Sequence, residues 1–205
     1  ANGKVLGAMA KNIPWLIGGD ADLSCSTKTA IGNEKWISPD DFSGRNIHFG
    51  VREHAMGAIA NGMSYYGFFK PFTATFFSFV DYMRPSLRLA SLSKLETVFV
   101  FTHDSLAVGE DGPTHQPVEQ LASIRCIPGL TVIRPADANE TSAAWKFILE
   151  NRSTLVALIL TRQDIPVIDR SVYAPAAEAL KGGYVISDCE NPEIAIIATG
   201  SEVHI

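Results

Sequence analysis

His103 and His115 flank the turn Gly109-Glu-Asp-Gly-Pro113, with Asp111 between them. Imidazoles titrate near neutrality, so a pair in one loop suits proton transfer to and from a ligand. The glycines let the backbone approach that ligand closely. The loop follows Thr97-Val-Phe-Val-Phe-Thr102, an apolar run that reads as a buried strand. Polar groups are costly to bury without partners, so gathering them at the end of such a strand marks His103–Gln116 as a site. The plainer alternative for this composition is an exposed, turn-rich connection.

Three further groups have chemical potential. Glu53 falls in the first turn of a helix that follows a short strand and Gly50, where a carboxylate is favoured by the helix dipole. Shielded from water, it could share a proton with a ligand nitrogen; otherwise it is an ordinary first-turn acid. Phe76, Phe79 and Tyr82 recur every third residue and would form one helix face, either part of the core or a wall for a flat ring. Arg162 ends the most apolar strand, where a guanidinium can clamp a phosphate or carboxylate or can simply be solvated. The chain has no HExxH, no paired CxxC and no phosphate-binding glycine loop with lysine, so no metal site is expected.

Positioning these groups requires an alternating fold. Helical patterns at Val5–Lys11, Arg52–Tyr66, Phe76–Ser93, Pro117–Arg125 and Asp137–Asn151 alternate with strand patterns at Trp15–Gly19, Asn46–Gly50, Phe69–Ala74, Thr97–Thr102, Leu130–Arg134 and Leu155–Thr161. Pro85 should kink or break its helix, Pro117 should open the next, and Asp137 should cap the last. This is the pattern of an α/β fold: a three-layer, mostly parallel sheet with helices on both faces and ligands at the carboxyl ends of the strands. Small residues at Ala55, Gly57, Ala58, Ala60 and Gly62 would let their helix lie close to another backbone, such as a second subunit. The polar stretch from Asp20 to Gly44 reads as a long loop. Gly182–Ser187 and Ile194–Thr199 read as two more strands, the second opening another domain. The expected division is a domain over residues 1–187, followed at 188–205 by a linker and the first strand of a truncated domain.

Composition narrows the partners. With 17 basic residues, a net charge of -5 and no basic stripe, nucleic acid is a poor candidate, whereas a small anion needs only one or two local cations. Hydrophobic residues at 46% and charged residues at 19% describe a globular interior and exclude disorder. No run approaches the roughly 18 apolar residues of a membrane span, so no membrane association is expected. Cys25, Cys126 and Cys189 are odd in number and far apart, which fits a reducing, cytoplasmic setting.

The motifs taken together carry a resemblance. Gly18-Gly-Asp-Ala-Asp-Leu23, Ile47-His-Phe-Gly-Val-Arg-Glu-His54, Thr75-Phe-Phe-Ser-Phe79 and Gly109-Glu-Asp-Gly-Pro-Thr-His-Gln-Pro-Val-Glu-Gln120 closely resemble transketolase in order and spacing. Gly182-Gly-Tyr184 and Ala198-Thr-Gly-Ser-Glu202 extend the match over essentially the whole chain.

The resemblance implies the central, pyrimidine-binding domain of the thiamin diphosphate-binding fold, with the cofactor held at a homodimer interface. It implies transfer of a two-carbon ketol unit from a ketose phosphate to an aldose phosphate, as in the pentose phosphate pathway. Glu53 would bond the aminopyrimidine ring nitrogen and promote the imino tautomer from which the thiazolium carbon loses its proton. Phe76, Phe79 and Tyr82 would line the pyrimidine pocket, with Phe79 stacking. Asp22 would help position the ligand or its loop. Asp111 would contact a sugar hydroxyl, His115 the donor hydroxyls near the reacting carbon, and His103, Ser26 and Arg162 the sugar phosphate. Magnesium or calcium would be bound by a preceding domain that this chain lacks, so the chain alone is expected to be inactive.

Two positions depart from the family pattern: His54 stands where an aromatic residue is common, and Ser24-Cys25-Ser26 replaces an alanine-proline-serine form. Deoxyxylulose phosphate synthase, the beta part of a 2-oxo acid dehydrogenase and dihydroxyacetone synthase are the rival enzymes. A non-catalytic orphan subunit is the rival of another class. Five polar groups converging at strand ends, Glu53, His103, Asp111, His115 and Arg162, speak against a scaffold.

Overall fold

The computed structural model describes all residues from Ala1 to Ile205. Six strands, β1 (Leu16–Asp20), β2 (Asn46–His48), β3 (Lys70–Phe76), β4 (Val98–Thr102), β5 (Leu130–Ile133) and β6 (Leu155–Ile159), form one parallel sheet of order β2-β1-β3-β4-β6-β5. Between them run α1 (Asn2–Ala10), the single turn α2 (Ser24–Thr27), α3 (Glu53–Tyr66), α4 (Val80–Leu92), α5 (Gln120–Arg125) and α6 (Ala138–Glu150).

Successive side chains of a strand point to opposite faces, and each central strand is apolar on both. Phe99 and Phe101 of β4 and Leu155, Ala157 and Ile159 of β6 meet Met56, Met83, Leu87 and Ile124 from α3, α4 and α5. The intervening Val98, Val100, Val156 and Leu158 meet Leu6, Ala10, Trp145 and Ile148 from α1 and α6 on the other side. The result is the expected three-layer α/β fold. No helix is long and apolar enough to cross a membrane.

The close approach expected of the small residues in α3 occurs within the chain. A Cβ added to Gly57 would lie 2.8 Å from Cβ of Ser86 and 3.0 Å from Cε of Met83, so glycine is what permits the α3–α4 contact. Gly62 faces open space instead. Asp137 caps α6 as expected, accepting from the Glu140 amide at 2.8 Å.

Other boundaries differ. Residues 76–93 are not one helix: Phe76 ends β3, Phe77–Phe79 form a 3₁₀ turn, and α4 starts at Val80 and continues through Pro85. The interruption thus lies at the strand exit, not at the proline. Pro117 precedes α5 by three residues, because the chain from Pro113 to His115 first makes its own 3₁₀ turn. The long loop contains α2 and a bridge from Trp36 to Asn46.

Neither Gly182–Ser187 nor Ile194–Thr199 is a strand. A strand exists by pairing, and the apolar run has no ladder partner: Ile194, Ile196 and Ile197 are 81%, 91% and 93% exposed. Residues 188–198 make no hydrogen bond to the rest of the chain, whereas Thr199 and Glu202 are held by Arg134.

Candidate functional site

The chain passes from β1 outward to β2 and then back to β3 on the other side of β1, creating a crevice at the carboxyl ends of the strands. The sequence-predicted residues are distributed along this rim. Asp22 follows β1, Glu53 follows β2, Phe76 ends β3, His103 follows β4 and Arg162 follows β6.

The aromatic residues and the histidines form one continuous wall. Ring centroids are 6.0 Å apart for Tyr82–Phe79, 6.1 Å for Phe79–Phe76 and 3.7 Å for Phe76–His103, all near-parallel. His115 stands edge-on to Phe79 at 5.1 Å and to Phe76 at 5.9 Å. The alignment does not come from an α-helical face. Phe76 is the extended last residue of β3, Phe79 ends the 3₁₀ turn and caps α4, and Tyr82 lies in the first turn of α4, so the row crosses three kinds of backbone. Phe76 is buried, whereas Tyr82 at the outer end is 63% exposed.

His103 is the most constrained member. Its φ of +59° is left-handed, a conformation that costs a non-glycine residue about 1–3 kcal/mol unless its surroundings enforce it. Its Nδ1 lies 2.9 Å from the Thr102 hydroxyl, leaving Nε2 for a ligand. Burial pulls its pKa down to about 4; the nearby Asp111 opposes the fall and the charges of Arg162 and His115 add to it. At neutral pH the ring is therefore neutral.

His103 also lines a cleft of about 270 Å³ together with Ser26, Lys28 and Arg162. Thr161 Oγ1 and Gln163 Oε1, from residues in the same lining, are buried without a hydrogen-bond partner. Arg162 is 3.7 Å from Glu110 and 4.0 Å from Asp111, with its side chain 43% exposed, so neither acid ties it down. Two cations, Lys28 and Arg162, stand in this lining against two carboxylates, Asp164 and the Arg170-bonded Asp137; with the Ser26 hydroxyl, the His103 imidazole and the orphaned polar atoms, the Lys28 and Arg162 side can receive a small, hydroxylated anion.

Glu53 is the first residue of α3 and is buried, and its carboxylate makes no hydrogen bond within the chain. The structure does not bring every candidate together. Asp22 is exposed, has a φ of +60° and makes no side-chain bond, and it is absent from the cleft lining.

Comparison with known proteins gives the family of this fold. The model of the family "Transketolase, pyrimidine binding domain" matches residues 1–167. The chain belongs to the transketolase family. It is 54% identical over 206 aligned residues to a transketolase of Aquifex aeolicus and 53% identical over 205 to one of Bacillus subtilis. These alignments cover 100% and 99% of the chain but 30% and 31% of the relatives, so the chain spans about a third of their length. A crystal structure of Pichia stipitis transketolase in complex with sedoheptulose 7-phosphate superposes with a TM-score of 0.93 at 43% identity, covering 100% of this chain and 31% of that one.

Within this transketolase pyrimidine domain the two departures are accommodated. His54 is held by Ser86, whose hydroxyl lies 3.2 Å from its Nδ1 and donates to its carbonyl at 3.0 Å. The Ser24–Thr27 turn is pinned through Thr27 and Thr29, whose hydroxyls are 2.7 Å apart, to the buried carboxylate of Asp20.

Sequence reasoning missed two polar clusters. Arg134, after β5, donates from Nε to Asp104 at 2.7 Å and from Nη1 to the Thr199 carbonyl at 2.9 Å, and it pairs with Glu202. Arg170 donates to Asp137 and Glu140, each at 3.2 Å, to Tyr184 at 3.0 Å and to the Ala174 carbonyl at 2.8 Å. Arg134 carried the same signal as Arg162, an arginine at the end of an apolar strand. Arg170 gave none, because its partners are scattered through the chain.

Proposed function

We propose that this chain is the cofactor- and sugar-facing third of a thiamine diphosphate-dependent transketolase, which moves a two-carbon ketol unit from a ketose phosphate to an aldose phosphate. The observation that carries the reading is the continuous wall Tyr82–Phe79–Phe76–His103, which joins a face suited to a flat ring to a cleft suited to a phosphate.

The residues present fit the cofactor. Glu53 is only 8% exposed as a residue and its carboxylate has no partner within the chain, so it is free to bond a pyrimidine nitrogen, and Phe79 offers a ring face for stacking. Thiamine diphosphate, when bound, supplies the electron sink that the two-carbon unit requires. Glu53 would share a proton with the pyrimidine ring nitrogen, and Phe76 and Phe79 would exclude water from it. His115 moves a proton at a donor hydroxyl, and Asp111 accepts a bond from another. Ser26 donates its hydroxyl to the phosphate, the neutral His103 donates from Nε2, and Arg162 supplies the charge. Asp22, exposed and unbonded within the chain, is left to the ligand, since Asp20 holds the loop after β1 through Leu23 and Thr29.

The diphosphate and its divalent ion are held outside this chain, and the two walls of the site meet across a homodimer. Exposed apolar side chains on α3 and α4, among them Ile59, Tyr65, Tyr66, Leu89 and Leu92, supply a surface for that contact. Residues 1–187 act as the domain and 188–205 as the start of the next.

Replacing Glu53 by Gln in the full-length protein tests the reading. Ketol transfer from xylulose 5-phosphate to ribose 5-phosphate should fall by about two to four orders of magnitude. Near-normal activity would remove Glu53 from the chemistry.

A further inference from the structure

Two residues held in left-handed conformations flank a single guanidinium. His103, at φ +59°, is followed by Asp104, whose carboxylate accepts from Arg134 Nε at 2.7 Å with both side chains at most 9% exposed. Gly200, at φ +61°, donates its amide to the Arg134 carbonyl at 3.1 Å, and a Cβ there would come within 2.7 Å of the guanidinium. Arg134 Nη1 in turn donates to the Thr199 carbonyl and hydroxyl at 2.9 and 3.1 Å. The guanidinium is therefore fixed from the far side before it grips Asp104. A left-handed backbone at a non-glycine residue persists where its neighbours over-determine it, and here the next side chain is clamped by a buried charge pair.

We propose that Arg134, acting through Asp104, is the positioning residue that holds His103 against Phe76 and over the cleft. The proposal deepens the reading of His103 as a ligand-facing group. Arg134 lines no part of the cleft that contains His103, so its effect is carried by the backbone between Asp104 and His103. The pair fixes the ring's direction, and Thr102 fixes its rotation through Nδ1.

The test is nuclear magnetic resonance of the histidine rings in this chain without any ligand. In the unsubstituted chain the His103 ring should show through-space contacts to the Phe76 ring, 3.7 Å away, and a midpoint lowered to about 4. In Arg134→Gln those contacts should vanish and the midpoint should rise by at least about one pH unit as the ring enters water, while His48, on β2, is unmoved. Arg134→Lys keeps the charge but not the fork and should restore the contacts in part. Asp111, His115 and Arg162 face His103, and Lys28, Asp137 and Asp164 line the same cleft, so charge alone must be separated from position. Arg162→Gln provides that control: the midpoint rises as that charge is removed, but the Phe76 contacts stay. Retention of the contacts and the low midpoint in folded Arg134→Gln overturns the proposal. If that variant does not fold, Asp104→Asn decides, and an unchanged His103–Phe76 stack there overturns it equally. Neither readout involves a cofactor, so a failure of the transketolase reading leaves the result standing and would appear instead as activity retained in Glu53→Gln.

Discussion

Arg162 and Arg170 lie in the same connection after β6 and do opposite things. Arg170 is 14% exposed and divides its two terminal nitrogens among Asp137, Glu140, Tyr184 and a backbone carbonyl. Burial would lower its pKa, but the bonds to Tyr184 and Glu140 and the charge of Asp137 raise it overall. Arg162 is three times as exposed, at 43%, and meets its nearest acids only at 3.7 and 4.0 Å. One guanidinium is committed to holding a segment against α6, and the other keeps its donors for something not in the chain. The same contrast separates Asp137, bonded on both oxygens, from Glu53, bonded on neither. A polar group that serves the fold has its partners in the fold; one that serves a ligand is left open at a cost in stability.

Four measurements would break or sharpen this contrast. The largest effect belongs to the open carboxylate: Glu53→Gln should remove most activity in the full-length protein, as stated above, while shifting the urea midpoint of the chain little. Next, Arg170→Ala strands the buried charges of Asp137 and Glu140 and should destabilise the chain by about 3–5 kcal/mol in urea titrations. A loss under 1 kcal/mol would mean that the cluster is not structural.

The third concerns pH. The buried His103 holds its proton only below about 4, whereas an unfolded histidine does so below 6.5. The unfolded chain therefore binds the extra proton between these values, and stability should fall as pH drops through that window, by about 3 kcal/mol. His103→Gln should flatten the curve from pH 6.5 to 4. An unchanged slope would show that other groups dominate. The smallest effect on stability belongs to Arg162→Ala, expected within about 0.5 kcal/mol of the parent because its ion pairs are loose. In the full-length protein the same substitution should raise KM for phosphorylated donors about tenfold or more, with little change in kcat.

Much of this was legible in the residues themselves. The apolar runs of β4 and β6 and the helical patterns around them prescribe a parallel sheet covered on both faces, because strands apolar on both sides can be buried in no other way. The order of the motifs carried the family. Glu53, His103, Phe76, Phe79, Arg162 and Ser26 were all named from sequence, and the structure sets them along one rim. The boundaries were less legible. Phe76, Phe79 and Tyr82 satisfy a three-residue period that an α-helix and a 3₁₀ turn share, so spacing could not say that the row begins on a strand. Ile194–Thr199 has strand composition, but a strand also needs an edge to pair with, and composition does not report one.

Local chemistry, which depends only on neighbours in the chain, was settled by the sequence: the cap at Asp137, the buried strands, and a polar loop at the end of β4. Tertiary structure decided whether each polar group is open or closed. Arg134 and Arg162 both end apolar strands, and nothing near either one distinguishes them. The difference lies in Asp104, 30 residues before Arg134, and Thr199, 65 after it, which close one guanidinium and leave the other free. Hydrogen bonding and burial are properties of what the fold brings together, and that distance is where sequence patterns stop carrying information.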